Sequence, residues 1–169
     1  MGQHEMAKPL PPFQAFLDEH RGPVLSFLRS LVGPDDADDC FQETFISAMR
    51  AYERLDGQHP RAWVMTIARR KAIDHHRARA RRPEPREELP ELISTRANPG
   101  ANQEDPELWA AVAELPPKQR AAVALRFAGD LGYAEVATAL ECSQEAARRS
   151  VHEGLKRLRE TDAIAGRRA

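Results

Sequence analysis

Only two cysteines, Cys40 and Cys142, occur among the 169 residues. They lie far apart in different segments, so no disulfide framework holds the chain, and a reducing compartment suits it. Aromatic residues are scarce at 6%, and no apolar run approaches the length of a bilayer span, so no membrane insertion is expected. The opening MGQHEMAKPLPP lacks the apolar stretch of a secretion signal. The expected location is therefore the cytoplasm. Strand-like alternation and internal repeats are also missing. Catalytic constellations are missing too. Asp74, His75 and His76 come nearest to one, but adjacent helical residues point about 100° apart, so a nuclease-like metal site does not assemble easily from them. The apolar or acidic neighbours of both cysteines disfavour a reactive thiolate. No enzyme activity, metal or cofactor is expected.

What the chain does have is charge, unevenly placed. The formal net charge is −1, yet residues 69–82 carry Arg69, Arg70, Lys71, Arg77, Arg79, Arg81 and Arg82 against the single acid Asp74. Residues 83–107 reverse the balance, with Glu84, Glu87, Glu88, Glu91, Glu104, Asp105 and Glu107 against Arg86 and Arg96. The stretch from Arg61 to Arg82 reads as one amphipathic helix with a basic tail. Trp63, Val64, Met65, Ile67, Ala68 and Ala72 fall on one side at helical spacing, with Thr66, Arg69, Arg70, His76 and Arg77 opposite. A helix that docks on one face and is cationic on the other suits a polyanion. Trp63, on the border, could stack on an unpaired base. A core tryptophan beside a solvated charged face is the competing reading.

Taken in order, residues 1–11 show no periodicity and are expected to be a frayed lead-in. Helical spacing starts at Phe13 and continues through Leu31 and Val32, interrupted at Gly22-Pro23, which predicts two short helices or one kinked helix. After Gly33-Pro34, four aspartates crowd the start of a second helix, where carboxylates favour the positive helix end. It places Cys40, Phe41, Thr44, Phe45, Ala48 and Met49 at helical spacing, with Asp36, Asp39, Gln42 and Glu43 outward. Residues 55–60 form a loop before the basic helix. Residues 83–106, rich in proline and acids, are expected to be a mobile linker.

Beyond the linker come helices over 108–115, 118–127, 133–140 and 144 to about 159, with Ser143 placed to cap the last. A short helix, a three-residue turn and a long helix is the helix-turn-helix layout. In the long helix Ala147, Val151, Leu155 and Leu158 form one stripe. Glu145, Arg149, His152 and Lys156 lie opposite, flanked by Arg148 and Glu153. The expected fold is all-α: two small helical modules joined by a flexible Pro-rich acidic linker, the second a four-helix helix-turn-helix domain.

With both modules in view, the chain resembles an extracytoplasmic-function (ECF) sigma factor, a bacterial RNA polymerase sigma subunit, over roughly residues 10–160. The resemblance rests on DADDCFQETF (36–45), on PRAWVMTIARRKAID with its Arg-rich end, and on ELPPKQRAAVALRFAGDLGYAEVATAL (114–140), in that order. It implies a region 2-like domain over 10–82, a linker over 83–106 and a region 4-like domain over 107–160. It implies that Asp36, Asp39, Gln42, Glu43 and Phe45 meet core polymerase. The unpaired −10 promoter element then falls to Asp56, His59, Trp63, Arg70, Asp74, Arg77 and Arg81, and the duplex −35 element to Gln144, Glu145, Arg148, Arg149, His152 and Lys156. The partners implied are the core enzyme, promoter DNA and an anti-sigma factor.

The recognition helix departs from the family pattern. Where Gly-Thr-Val-Lys-Ser-Arg is frequent, this chain has Glu145-Ala146-Ala147-Arg148-Arg149-Ser150, and Glu153 stands where a base is common. The implied function is a promoter-specificity subunit with no chemistry of its own. The alternative is a sigma-like interaction module that binds an anti-sigma partner without productive promoter recognition.

Overall fold

The structure is a computed structural model that describes residues 9–81 and 106–161. Among the described residues all regular structure is helical. Helix α1 spans Phe13–Val32, α2 Pro34–Ala51 and α3 Pro60–Arg81, with a short 3₁₀ turn at Tyr52–Arg54 between the last two. Then follow α4 (Pro106–Ala113), α5 (Pro117–Phe127), α6 (Tyr133–Leu140) and α7 (Gln144–Glu160). The expected linker lies outside the described residues apart from its last residue, Pro106, which opens α4.

Helix α1 runs through Gly22-Pro23 without a break. Pro23 cannot donate to the Glu19 carbonyl, but Val24, Phe27 and Leu28 directly after it are fully buried and hold the helix in register. The Gly33-Pro34 stop is where expected: Gly33 turns the chain at φ 85°, and Pro34 takes the first position of α2, where its missing N–H is harmless. Phe13, Phe16, Phe45 and Tyr52 pack as an aromatic cluster with ring centroids 5.1–6.5 Å apart. The Tyr52 hydroxyl donates to the Pro11 carbonyl at 2.6 Å, tying part of the lead-in to the end of α2.

In the second module, α5 and α7 pack closely because Gly154 lies where they meet. A Cβ there would stand 2.7 Å from Val123 Cγ2. Ser143 caps α7, its Oγ accepting from the Ala146 N–H at 3.1 Å. Ala147, Val151 and Leu158 are buried and Leu155 is half-buried, as the stripe predicts. Glu135 accepts from the Gly132 N–H at 2.9 Å and fixes the start of α6.

The two modules share a core. Val64, Met65, Ala68 and Ala72 of α3 belong to the same buried cluster as Leu131, Val136, Ala137 and Leu140 around α6, and Leu125 of α5. Helix α1 also touches α4 and α5. The apolar stripe of α3 is wide enough for α1 and α2 on one flank and α6 on the other.

Candidate nucleic-acid interface

The loop before α3 is set by local bonds. Asp56 Oδ1 accepts from the Gln58 N–H at 2.9 Å, an Asx turn, while Gly57 and His59 take positive φ (79° and 50°). Leu55 is buried beneath it. Asp56, Gln58 and His59 are left exposed at the start of α3, and the His59 carbonyl accepts from the Trp63 N–H at 3.0 Å. Trp63 is half-buried and edge-on to Phe16 at 5.9 Å, so part of the ring belongs to the core and part faces outward. The core reading of this residue thus holds in part.

Along α3, Arg70, Asp74, Arg77, Arg79 and Arg81 are exposed. Arg70 pairs with Glu141, and Arg79 donates to Asp36 at 2.5 Å. Arg77 and Arg81 carry no ion pair among the described residues. The two histidines anchor the helix rather than face a ligand. His75 Nε2 lies 3.1 Å from Asp36, and His76 Nε2 is 3.0 Å from the Leu31 carbonyl. Burial lowers the His76 pKa more than this hydrogen bond raises it. Among the described residues no group of three His, Cys, Asp or Glu could hold a metal.

The acidic strip on α2 differs from its expected composition. Phe45 is 5% exposed, with its ring 4.7 Å from Phe41 and 6.4 Å from Phe16, so it is a core residue and not a surface contact. Helical spacing places it correctly, and the motif match misplaces it. Asp36 is partly withdrawn, held by Arg79 and His75. Asp39, Gln42 and Glu43 are exposed. Beside them Ile46 and Met49 are 46% and 55% exposed, against the core position that spacing predicts for Met49. At positions 39, 42, 43, 46 and 49 these five side chains form one helical face. The apolar half of that face escapes a reading by spacing, because Met49 fits the buried pattern equally well. Cys40 lies on the buried side of this same helix, its thiol pushed up to about 11 by burial and then by Glu43, Asp36 and Asp39, which leaves it unreactive.

On α7, Gln144, Glu145, Arg148, Arg149, His152 and Lys156 are all exposed on one side. The Arg148 guanidinium lies 5.4 Å from the Tyr133 ring centroid, and Arg126 lies 5.3 Å from the same ring, so an aromatic of α6 orients a cation of α7. Glu145, Arg149, Glu153 and Arg157 form no ion pairs among the described residues, despite their i, i+4 spacing. Glu153 instead accepts from Gln119 at 3.3 Å.

Residues 16–82 match Sigma-70 region 2, and residues 106–158 match Sigma-70, region 4. ECF RNA polymerase sigma factor SigF of Caulobacter vibrioides is 34% identical over 138 residues, 79% of this chain and 75% of SigF. The chain belongs to the ECF RNA polymerase sigma factors. SigC of Mycobacterium tuberculosis is 32% identical to this sigma factor over 132 residues, 76% of this chain and 71% of SigC. SigX of Bacillus subtilis is 26% identical over 163 residues, covering 87% and 81%. The fold of this sigma factor matches that of RpoE in its co-crystal with the anti-sigma factor NepR from Bartonella quintana. The TM-score is 0.76 at 24% identity, covering 89% of this chain and 96% of that one. CnrH in complex with the cytosolic domain of CnrY gives a TM-score of 0.64 at 23% identity, covering 88% and 85%. No helix among the described residues of this sigma factor is long and apolar enough to cross a membrane.

Proposed function

We propose that this sigma factor is a promoter-specificity subunit of a cytoplasmic RNA polymerase, directing initiation by binding and positioning rather than by chemistry of its own. The carrying observation is the division of surfaces among three helices. Asp39, Gln42, Glu43, Ile46 and Met49 of α2 form an acidic face with an apolar half, suited to a helical partner that presents arginines and apolar side chains. The outer face of α3, with Trp63, Arg70, Asp74, Arg77 and Arg81 below the Asp56–His59 loop, suits a single strand held through phosphates and one stacked base. The outer face of α7 suits the major groove of a duplex. In this reading residues 10–82 bind core polymerase and the −10 element, 107–160 bind the −35 element, and 83–106 join them. An anti-sigma factor restrains the whole, a role proposed by analogy with the complexes above.

The second reading is an interaction module that binds an anti-sigma partner without productive promoter recognition. The carboxylate of Glu145 on the outer face of α7 favours it, because DNA repels an acid that has no base donor to meet. One titration separates the two. Gln42→Ala with Glu43→Ala should weaken binding to core polymerase while leaving stability within about 0.5 kcal/mol. Arg77→Ala should spare core binding and weaken capture of promoter DNA by the holoenzyme. Parent holoenzyme that captures no promoter DNA from a random fragment pool supports the second reading.

A further inference from the structure

Inside the aromatic core of the first module lies a histidine, His20, that is 2% exposed. Neither of its ring nitrogens has a hydrogen-bond partner among the described residues, although buried polar groups normally have one. The ring lies edge-on to Phe16, one helical turn back along α1, with centroids 4.6 Å apart. Phe16 in turn meets Tyr52 at 5.1 Å and stands edge-on to Trp63 at 5.9 Å. His20 therefore supports, from within the core, the ring against which Trp63 packs. Outside the core, the Glu19 carboxylate is 64% exposed and 4.0 Å from His20 Nε2.

We propose that His20 is a positioning residue for Trp63, acting through Phe16, and that its protonation weakens the capture of a single strand by α3. The inference rests on the promoter reading of α3 given above. A neutral imidazole sits among apolar rings at modest cost, whereas a protonated one is a buried cation with two donors to satisfy. Burial opposes that cation most, Arg61 of α3 adds to the opposition, and Glu19 favours it. Asp130, 84% exposed and 3.8 Å from Arg61, is well solvated and offsets Arg61 little. Tyr52 stays a neutral phenol, because burial first and Glu19 second raise its pKa. Relief for the charged ring thus lies outward, toward Glu19. This turn of α1 is the one that yields: Pro23 leaves the Glu19 carbonyl without its helical donor, and a Cβ on Gly22 would meet nothing within 4 Å. When the ring swings out, Phe16 loses a neighbour and Trp63 loses the support that sets its outer edge toward a base.

The test uses the full chain carrying Trp109→Phe, which leaves Trp63 as the one tryptophan. Emission of Trp63 is followed from pH 8 to 5, with circular dichroism to keep local change apart from unfolding. It should change in one step below pH 6.5, and His20→Leu should abolish the step. Glu19→Gln should move the midpoint down in pH and Arg61→Gln should move it up, opposite shifts that a merely structural histidine would not produce. His76→Asn should leave the step in place. Anisotropy of a rhodamine-labelled oligothymidylate then measures binding. Other histidines titrate in both chains, so the quantity read is the affinity of the parent relative to His20→Leu. This ratio should fall about fivefold or more between pH 7.5 and 5, the low end of what one base–aromatic stack contributes. A step that survives in His20→Leu, no step at all, or unfolding before Trp63 responds overturns the inference. So does a His20-dependent step with an unchanged affinity ratio. Binding by no form at all, while Trp63 still reports His20, upholds the positioning and refutes the promoter reading of α3 instead.

Discussion

Phe45→Ala separates the role that sequence similarity assigns to this residue from the one its packing gives it. The side chain is 5% exposed and meets the rings of Phe13, Phe16 and Phe41 at centroid distances of 6.5, 6.4 and 4.7 Å. Truncating a buried phenylalanine costs about 3–5 kcal/mol, from forfeited transfer energy and the cavity left behind. Domains of this size are stable by only about 5–15 kcal/mol, so the variant should lose a large part of its margin. With a urea slope of about 2 kcal/mol per molar, the unfolding midpoint should fall by roughly 2 M. Chemical denaturation followed by circular dichroism measures it, with Gln42→Ala and Glu43→Ala as exposed neighbours that should stay near the parent. Phe45→Leu fills most of the same volume and should keep both fold and polymerase affinity. If Phe45→Ala unfolds like the parent yet no longer binds core polymerase, Phe45 faces the partner and the packing argument fails.

Acid sensitivity should trace in part to His20. The residue is 2% exposed, and its pKa is lowered below 6.5 by burial, with Glu19 opposing and Arg61 adding to the shift. The folded chain keeps the ring neutral while the unfolded chain protonates it, so this stability is present above about pH 6.5 and is lost as pH falls toward the folded value. His20→Leu should flatten the dependence of the unfolding midpoint on pH between about 7 and 5.5. The lowered pKa of His76 leaves a residual slope of the same sign, and an unchanged slope in His20→Leu refutes the assignment. Glu145 offers a separate test at the first turn of α7, the part of a recognition helix that reaches base edges. As a reader of cytosine N4, its removal in Glu145→Ala should relax preference at one −35 position by roughly 1–3 kcal/mol. Selection from randomised duplexes measures this, and a uniform gain in affinity for every sequence contradicts it.

Much of this fold is legible in the residues because helices announce themselves by spacing. The Ser143 cap, the Gly33-Pro34 stop and the buried stripe of α7 are local devices, and each lies where its residue type demands. Spacing and motif mislead where two signals compete. For Phe45, helical spacing puts the ring in the core and the motif puts it on a partner, and burial sides with spacing. For Met49 the apolar spacing misleads, because an apolar residue on a helix can also serve an outward face. The docking of α6 on α3 is illegible for another reason. It depends on contacts between residues far apart in the chain, and the intervening acidic segment carries no pattern that specifies them. The only trace is two carboxylates at turn positions that glycine would suit better, Asp130 and Glu141.

Run-off transcription with purified core polymerase on a genomic fragment library tests the central claim most directly. Added to core enzyme, the parent chain should produce discrete transcripts whose upstream sequences share −10-like and −35-like elements. Arg77→Ala with Arg81→Ala should reduce them and flatten their salt dependence, by about one unit of log–log slope for each phosphate that is no longer neutralised. Core polymerase that binds the chain tightly yet yields no transcript beyond its own background would contradict promoter specificity and leave an interaction module in its place.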